Sequence, residues 1–89
     1  MADVTIYTTS TCPYCHRAKA LLDSKGVNYT EIDVGMNPEL RKEMTRRAGG
    51  RHTVPQIFVG SRHLGGCDDL MAIARSGELD RVLGLGTAV

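Results

Sequence analysis

Cys12 and Cys15 are two thiols separated only by Pro13 and Tyr14, a spacing suited to a reversible disulfide at the start of a helix. A thiol at a helix N-terminus faces unpaired backbone N–H groups and the positive end of the macrodipole, and both favour thiolate over thiol. One turn further in, the helical hydrogen bonds are already made, so Cys15 is expected to be buried and to stay protonated. Residues three apart on a helix have Cβ atoms about 5–6 Å apart, against about 3.5–4.5 Å in a disulfide, so the ring closes with a small adjustment at a non-helical Cys12. Acidity adds little to attack rate, because nucleophilicity falls as thiol pKa falls. Its larger effect is on leaving: a mixed disulfide on an acidic Cys12 opens quickly when another thiol attacks.

The pair admits other chemistries. A zinc site needs two more ligands, and Cys67, His16, His52 and His63 include no second close pair. Cys12 to His16 also matches the C-x-x-C-H haem-attachment pattern, with Met36, Met44 or Met71 as axial candidates. Against both stands the setting, a strand-to-helix junction in a chain whose first residues read as no export signal. A purely structural disulfide fits poorly too, because cytosolic glutathione keeps ordinary thiols reduced. The expectation is a cytoplasmic protein that uses cysteine for chemistry.

The elements that must position these thiols follow from hydrophobic period. Val4 to Thr8 alternates apolar and polar β-formers and reads as a strand, ending in Thr9-Ser10-Thr11. Pro13 suits the first turn of the next helix, Ala18, Leu21 and Leu22 form its apolar stripe, and Gly26 ends it. Val27 to Val34 is a second strand, and Asn37-Pro38 with Glu39 starts a second helix running to about Ala48. Gln56 to Val59 and Arg62 to Leu64 form a hairpin around Gly60-Ser61, followed by helices over Asp68–Ser76 and Glu78–Leu83. The order β-α-β-α-β-β-α implies an α/β fold, a four-stranded mixed sheet flanked by helices. The 89 residues make one domain, with 84–89 expected to fray. A hydrophobic share of 42% allows a core, and a net charge of +1 gives no field that argues for nucleic acid or membrane as partner.

Thr11-Cys12-Pro13-Tyr14-Cys15, Thr53-Val54-Pro55-Gln56-Ile57-Phe58 and Gly65-Gly66-Cys67-Asp68-Asp69-Leu70, taken together, resemble the glutaredoxins, specifically the dithiol class. The resemblance spans about Val4 to Leu83. A thioredoxin would carry Trp before the first cysteine, and this chain has none.

The resemblance implies a thioredoxin-like fold, glutathione as reductant, and a role for each matched residue. Pro55 is implied to be a cis-proline opposite the active-site helix, turning the Val54 backbone toward an extended peptide that it pairs as a sheet edge would. Thr53 belongs to the same segment. The Gly66-Cys67-Asp68 turn would offer the N–H groups of Cys67 and Asp68 to the γ-glutamyl carboxylate, while the Asp68 side chain takes the ammonium. Tyr14 would wall the groove, and Arg51 and His52 could meet the glycine carboxylate. The other basic residues nearby, Arg41, Lys42, Arg46 and Arg47, read as a solvated helix face. Many family members carry a lysine just before the first cysteine, where this chain has Thr9, Ser10 and Thr11. Either Arg51 or His52 replaces it, or the thiolate depends on the helix terminus.

The expected activity is therefore glutathione-dependent reduction of protein–glutathione mixed disulfides and protein disulfides, with Cys12 as nucleophile and Cys15 as resolving thiol. The expected protein is a monomer that takes no metal. The alternative is a dimer sharing an iron–sulfur cluster ligated by Cys12 and glutathione.

Overall fold

The computed structural model describes residues 3–84. Its elements run β1 (Val4–Thr8), α1 (Pro13–Ser24), β2 (Tyr29–Asp33), α2 (Pro38–Arg47), β3 (Gln56–Val59), β4 (Arg62–Gly65), α3 (Cys67–Arg75) and α4 (Leu79–Val82). From position 85 the predicted tail lies outside the described residues. The strands form one sheet in the order β2-β1-β3-β4, with β1 parallel to β2 and antiparallel to β3, and β3 antiparallel to β4. The fold is the expected four-stranded mixed sheet between helices.

Strand β1 is central, and its residues feed both faces. Val4 and Ile6 join Ala18, Leu22, Ile57, Leu70 and Leu79 in one core beneath α1, α3 and α4. Tyr7 joins Val34, Met44, Ala48 and Phe58 in a second core beneath α2. That two-sided burial follows from the period-2 pleat, which sends Ile6 and Tyr7 to opposite faces. Strand β2 lies at the sheet edge and is largely exposed. It spans only Tyr29–Asp33 rather than the predicted Val27–Val34, although the Val34 N–H still donates to Thr8 O at 2.9 Å.

Local caps set the helix starts. The Asn37 side chain accepts from Leu40 N–H at 3.1 Å, with Pro38 in the first turn. Helix α1 begins after Cys12, again with proline first, and stops at Lys25 before Gly26, whose φ of 70° only glycine adopts without strain.

Strand β4 carries an irregularity: Ile57 faces Gly65 and Phe58 faces His63, so Leu64 is an extra residue. The chain leaves this bulge through Gly65 at φ 110° and enters α3 with Gly66 as N-cap. A β-carbon on Gly65 would collide with the Asp69 side chain. The bulge thus brings the α3 N-terminus back over β3, beside Cys12.

Candidate active site

Cys12 is the N-cap of α1, in extended backbone at φ −88°, ψ 111°. Its Sγ accepts a hydrogen bond from the Cys15 N–H at 3.1 Å and lies 3.7 Å from the carbonyl oxygen of Val54, toward which it can donate as a thiol. Cys12 is half-buried, whereas Cys15 is 0% exposed. Burial, reinforced by the side-chain interaction with Cys12 that favours the protonated form, pushes the Cys15 thiol up to about 12. Two chemically identical groups three residues apart therefore stand in opposite environments, one at the surface facing a helix N–H and one held neutral behind it.

A groove opens beside Cys12. One wall is Arg51, Thr53, Val54 and Pro55; the other is Tyr14 from α1 with Gly66, Cys67 and Asp68 from the start of α3. The Val54–Pro55 peptide is cis. Tyr14 is 54% exposed, its ring flanked by the Arg17 guanidinium at 5.7 Å. Asp68 is exposed, and Cys67 is buried, its thiol pushed up by desolvation and then by the Asp68 charge. The walls approach closely, since a β-carbon on Gly66 would sit 3.3 Å from Pro55 O.

Of the residues that the resemblance gives to glutathione, all but His52 line the groove. The His52 carbonyl oxygen accepts from Arg41 Nη2 at 3.0 Å and Nε at 3.3 Å. Arg51 lines the groove but is tied down: its Nη1 donates to Asp69 Oδ2 at 2.9 Å. The hydrogen bond to the Cys12 sulfur comes from the helix N–H of Cys15.

Several positioning residues were not foreseen. Asp69 Oδ2 accepts from both Arg51 and the Gly66 N–H, the latter at 2.9 Å, and so bridges the two groove walls. These bonds, Gly66 first, hold its carboxyl below the usual 3.8. The signal was present: Asp69 is the third residue of α3, where an acid reaches back to the N-cap N–H. Buried Gln56 donates from Nε2 to Thr53 O at 3.0 Å, and its Oε1 meets His63 Nε2 at 2.6 Å, fixing the groove wall from below. The basic face of α2 is not simply solvated. Besides Arg41, Arg47 donates to the Tyr7 hydroxyl at 2.6 Å and lies 4.3 Å over the Phe58 ring.

Among the described residues no group of three or more His, Cys, Asp or Glu side chains is placed to hold a metal ion, and no helix is long and apolar enough to cross a membrane.

Comparison with known proteins gives a consistent result. The Glutaredoxin family profile matches residues 4–64. Glutaredoxin 3 of Escherichia coli K12 is 58% identical over 83 residues, covering 93% of this chain and 99% of that one. A solution structure of glutaredoxin from Brucella melitensis superposes with a TM-score of 0.84 at 56% identity, covering all of this chain and 96% of that one. The crystal structure of a buckwheat glutaredoxin–glutathione complex superposes at 0.85 with 30% identity, over 93% of this chain and 77% of that one. Cys12 and Cys15 lie together at the mouth of α1 in a Cys-Pro-Tyr-Cys segment, on a sheet and helices shared with these structures, and the chain belongs to the glutaredoxin family of glutathione-dependent thiol–disulfide oxidoreductases.

Proposed function

We propose that Cys12 is the nucleophile, Cys15 the resolving thiol, and the adjoining groove the glutathione site. The observation that carries this is the asymmetry of the two thiols: an accessible sulfur with a helix N–H 3.1 Å away, and a fully buried one held neutral. A backbone donor aimed at Cys12 supports negative charge on its sulfur both before attack and when it leaves.

In the one-thiol route the Cys12 thiolate attacks the glutathione sulfur of a mixed disulfide and the protein thiol departs. A second glutathione then attacks the glutathione sulfur bound to Cys12, releasing oxidised glutathione and restoring the thiolate. In the two-thiol route Cys12 attacks a protein disulfide, Cys15 displaces the product, and two glutathiones reduce the Cys12–Cys15 bond.

The groove suits a tripeptide with two carboxylates and one ammonium. Val54 offers backbone pairing beside Thr53 and Pro55, and the N–H groups of Cys67 and Asp68 after Gly66 meet the γ-glutamyl carboxylate. The Asp68 carboxylate takes the ammonium, Arg51 the glycine carboxylate, and Tyr14 closes the side. The buckwheat glutaredoxin–glutathione complex, alike in fold, supports this assignment. The partners are glutathione and disulfide-bearing or glutathionylated proteins, met as a monomer in the cytoplasm.

Replacing Cys15 by Ser tests the division of labour. The variant keeps deglutathionylation and loses protein-disulfide reduction; loss of both refutes it. Anaerobic purification tests the cluster alternative, with a colourless monomer expected and a brown dimer contradicting the reading.

A further inference from the structure

The two-thiol route contains a difficulty that the active-site pair does not resolve. Cys15 must lose its proton to attack, yet a thiol pushed up to about 12 is ionised only about once in 10⁵ at neutral pH. Each nearby charge that favours the anion therefore counts in that step, and the Lys19 charge is already among those acting on this thiol, so its loss makes the anion rarer still.

Lys19 lies four residues after Cys15 on α1, so the two side chains share one helix face with Cβ atoms about 5–6 Å apart. Its ammonium is not free to wander. Lys19 Nζ donates to Glu31 Oε2 on β2 at 2.9 Å, and that same oxygen accepts from the hydroxyl of buried Thr8 at 2.7 Å. Thr8 ends β1, and the backbone of the next residue, Thr9, acts against the burial that raises the Cys15 thiol. A cation is thus fixed to the sheet edge one turn below the buried thiol, from where its charge favours the thiolate. The other groups in this neighbourhood are Cys12 on α1 and, around the Lys19–Glu31 pair, Tyr29 on β2 and His16 on α1.

We infer that Lys19, pinned by Glu31 and Thr8, is a positioning residue for the resolving step, favouring the Cys15 anion that attacks the mixed disulfide on Cys12. This rests on Cys15 being the resolving thiol proposed above. In the step, the Cys15 thiol gives its proton to solvent and its sulfur attacks Cys12 Sγ. The Cys12–Cys15 bond forms as the bond from Cys12 to the substrate sulfur breaks, and the substrate leaves as a thiolate that takes up a proton. A unit charge about one helix turn from an ionising group shifts its ionisation by roughly tenfold to a hundredfold at the effective dielectric of a protein. Glu31 offsets part of that field, so about tenfold is expected.

The test loads Cys12 with a peptide mixed disulfide and follows peptide release by stopped flow across pH, alongside steady-state deglutathionylation. Lys19→Met slows release about tenfold at neutral pH and moves its pH profile toward higher pH, so the ratio of two-thiol to one-thiol turnover falls; Lys19→Arg restores both. A folded Lys19→Met with the native release rate and pH profile overturns the inference. Should that variant not fold, Lys19→Gln carries the same comparison. Cys15→Ser run in parallel separates the two readings: peptide release by an internal thiol in that variant overturns the resolving role itself, whereas its loss there with native release in Lys19→Met overturns only the role of Lys19.

Discussion

Replacing Asp69 is expected to loosen the groove and destabilise the fold, and the structure sets the size of both effects. Its Oδ2 accepts from the Gly66 N–H and from Arg51, each at 2.9 Å. Gly66 is buried, so Asp69→Ala leaves its N–H without this carboxylate partner, a loss of about 1–3 kcal/mol. The Arg51 pair adds less, about 0.5 kcal/mol, because its side chains are 48% and 46% exposed and solvent screens them. Placing an acid in the first turn of α3 adds about 0.3–1 kcal/mol. The sum is about 2–4.5 kcal/mol, or roughly 10–35 °C in Tm for a domain of this size. Asp69→Asn keeps an acceptor for Gly66 but loses the charge, so about half of that is expected. Because the folded carboxyl is held below its ordinary 3.8, its contribution is present above that pH and lost as pH falls through the folded value. Urea unfolding followed by circular dichroism should show a gap between native and Asp69→Asn proteins at pH 7 that closes in strong acid. A geometric check is available in Gly65→Ala, which is strained at φ 110° and collides with Asp69. In the Asp69→Ala background the contacts with the carboxylate disappear while the one with the residue 69 β-carbon at 2.8 Å remains, so the two losses sum to somewhat less than their separate values. Asp69→Ala within about 0.5 kcal/mol of native, or an Asp69→Asn gap undiminished in acid, refutes the bridge.

Two further outcomes follow from the same coordinates. The folded Cys15 thiol lies near 12 against an ordinary 9.0, so its contribution to stability is whole below pH 9 and vanishes as pH rises toward 12. Alkaline unfolding of Cys15→Ala should lack that slope, and an identical slope in both proteins contradicts the burial argument. Arg47→Ala removes the bond to Tyr7 and the guanidinium over Phe58, with an expected loss of about 1–2 kcal/mol by urea titration. Arg47→Lys should recover little of it, since lysine lacks the planar fork; full recovery would mean that charge alone matters there.

What could be read from the sequence was whatever short-range chemistry decides. Asn37 and Pro38 start α2 through contacts within four residues, and the difference between Cys12 and Cys15 follows from their places on one helix turn. The four-stranded mixed sheet was legible because a β-α-β start followed by a tight hairpin leaves few arrangements of four strands, whereas the central place of β1 was not read. Side-chain pairs far apart in the chain were not legible. Arg51 meets Asp69 across 18 residues, Arg47 meets Tyr7 across 40, and Lys19 meets Glu31 across 12. Each depends on sheet register or on the β4 bulge, and a one-residue slip in pairing would send the partner to the other face.

The basic run on α2 shows the limit most clearly. Composition describes Arg41, Lys42, Arg46 and Arg47 as one solvated face, yet the helix separates them. Lys42 and Arg46 point outward, while Arg47 follows buried Met44 by three residues and precedes buried Ala48, which puts it on the border of the core-facing stripe. From that border a long side chain can lay its guanidinium on Phe58 and still reach water. Helical period thus marks Arg47 as the residue able to turn inward, but only the antiparallel pairing of β1 with β3, which sets Tyr7 beside Phe58 with ring centroids 5.7 Å apart, supplies an aromatic surface for it to meet.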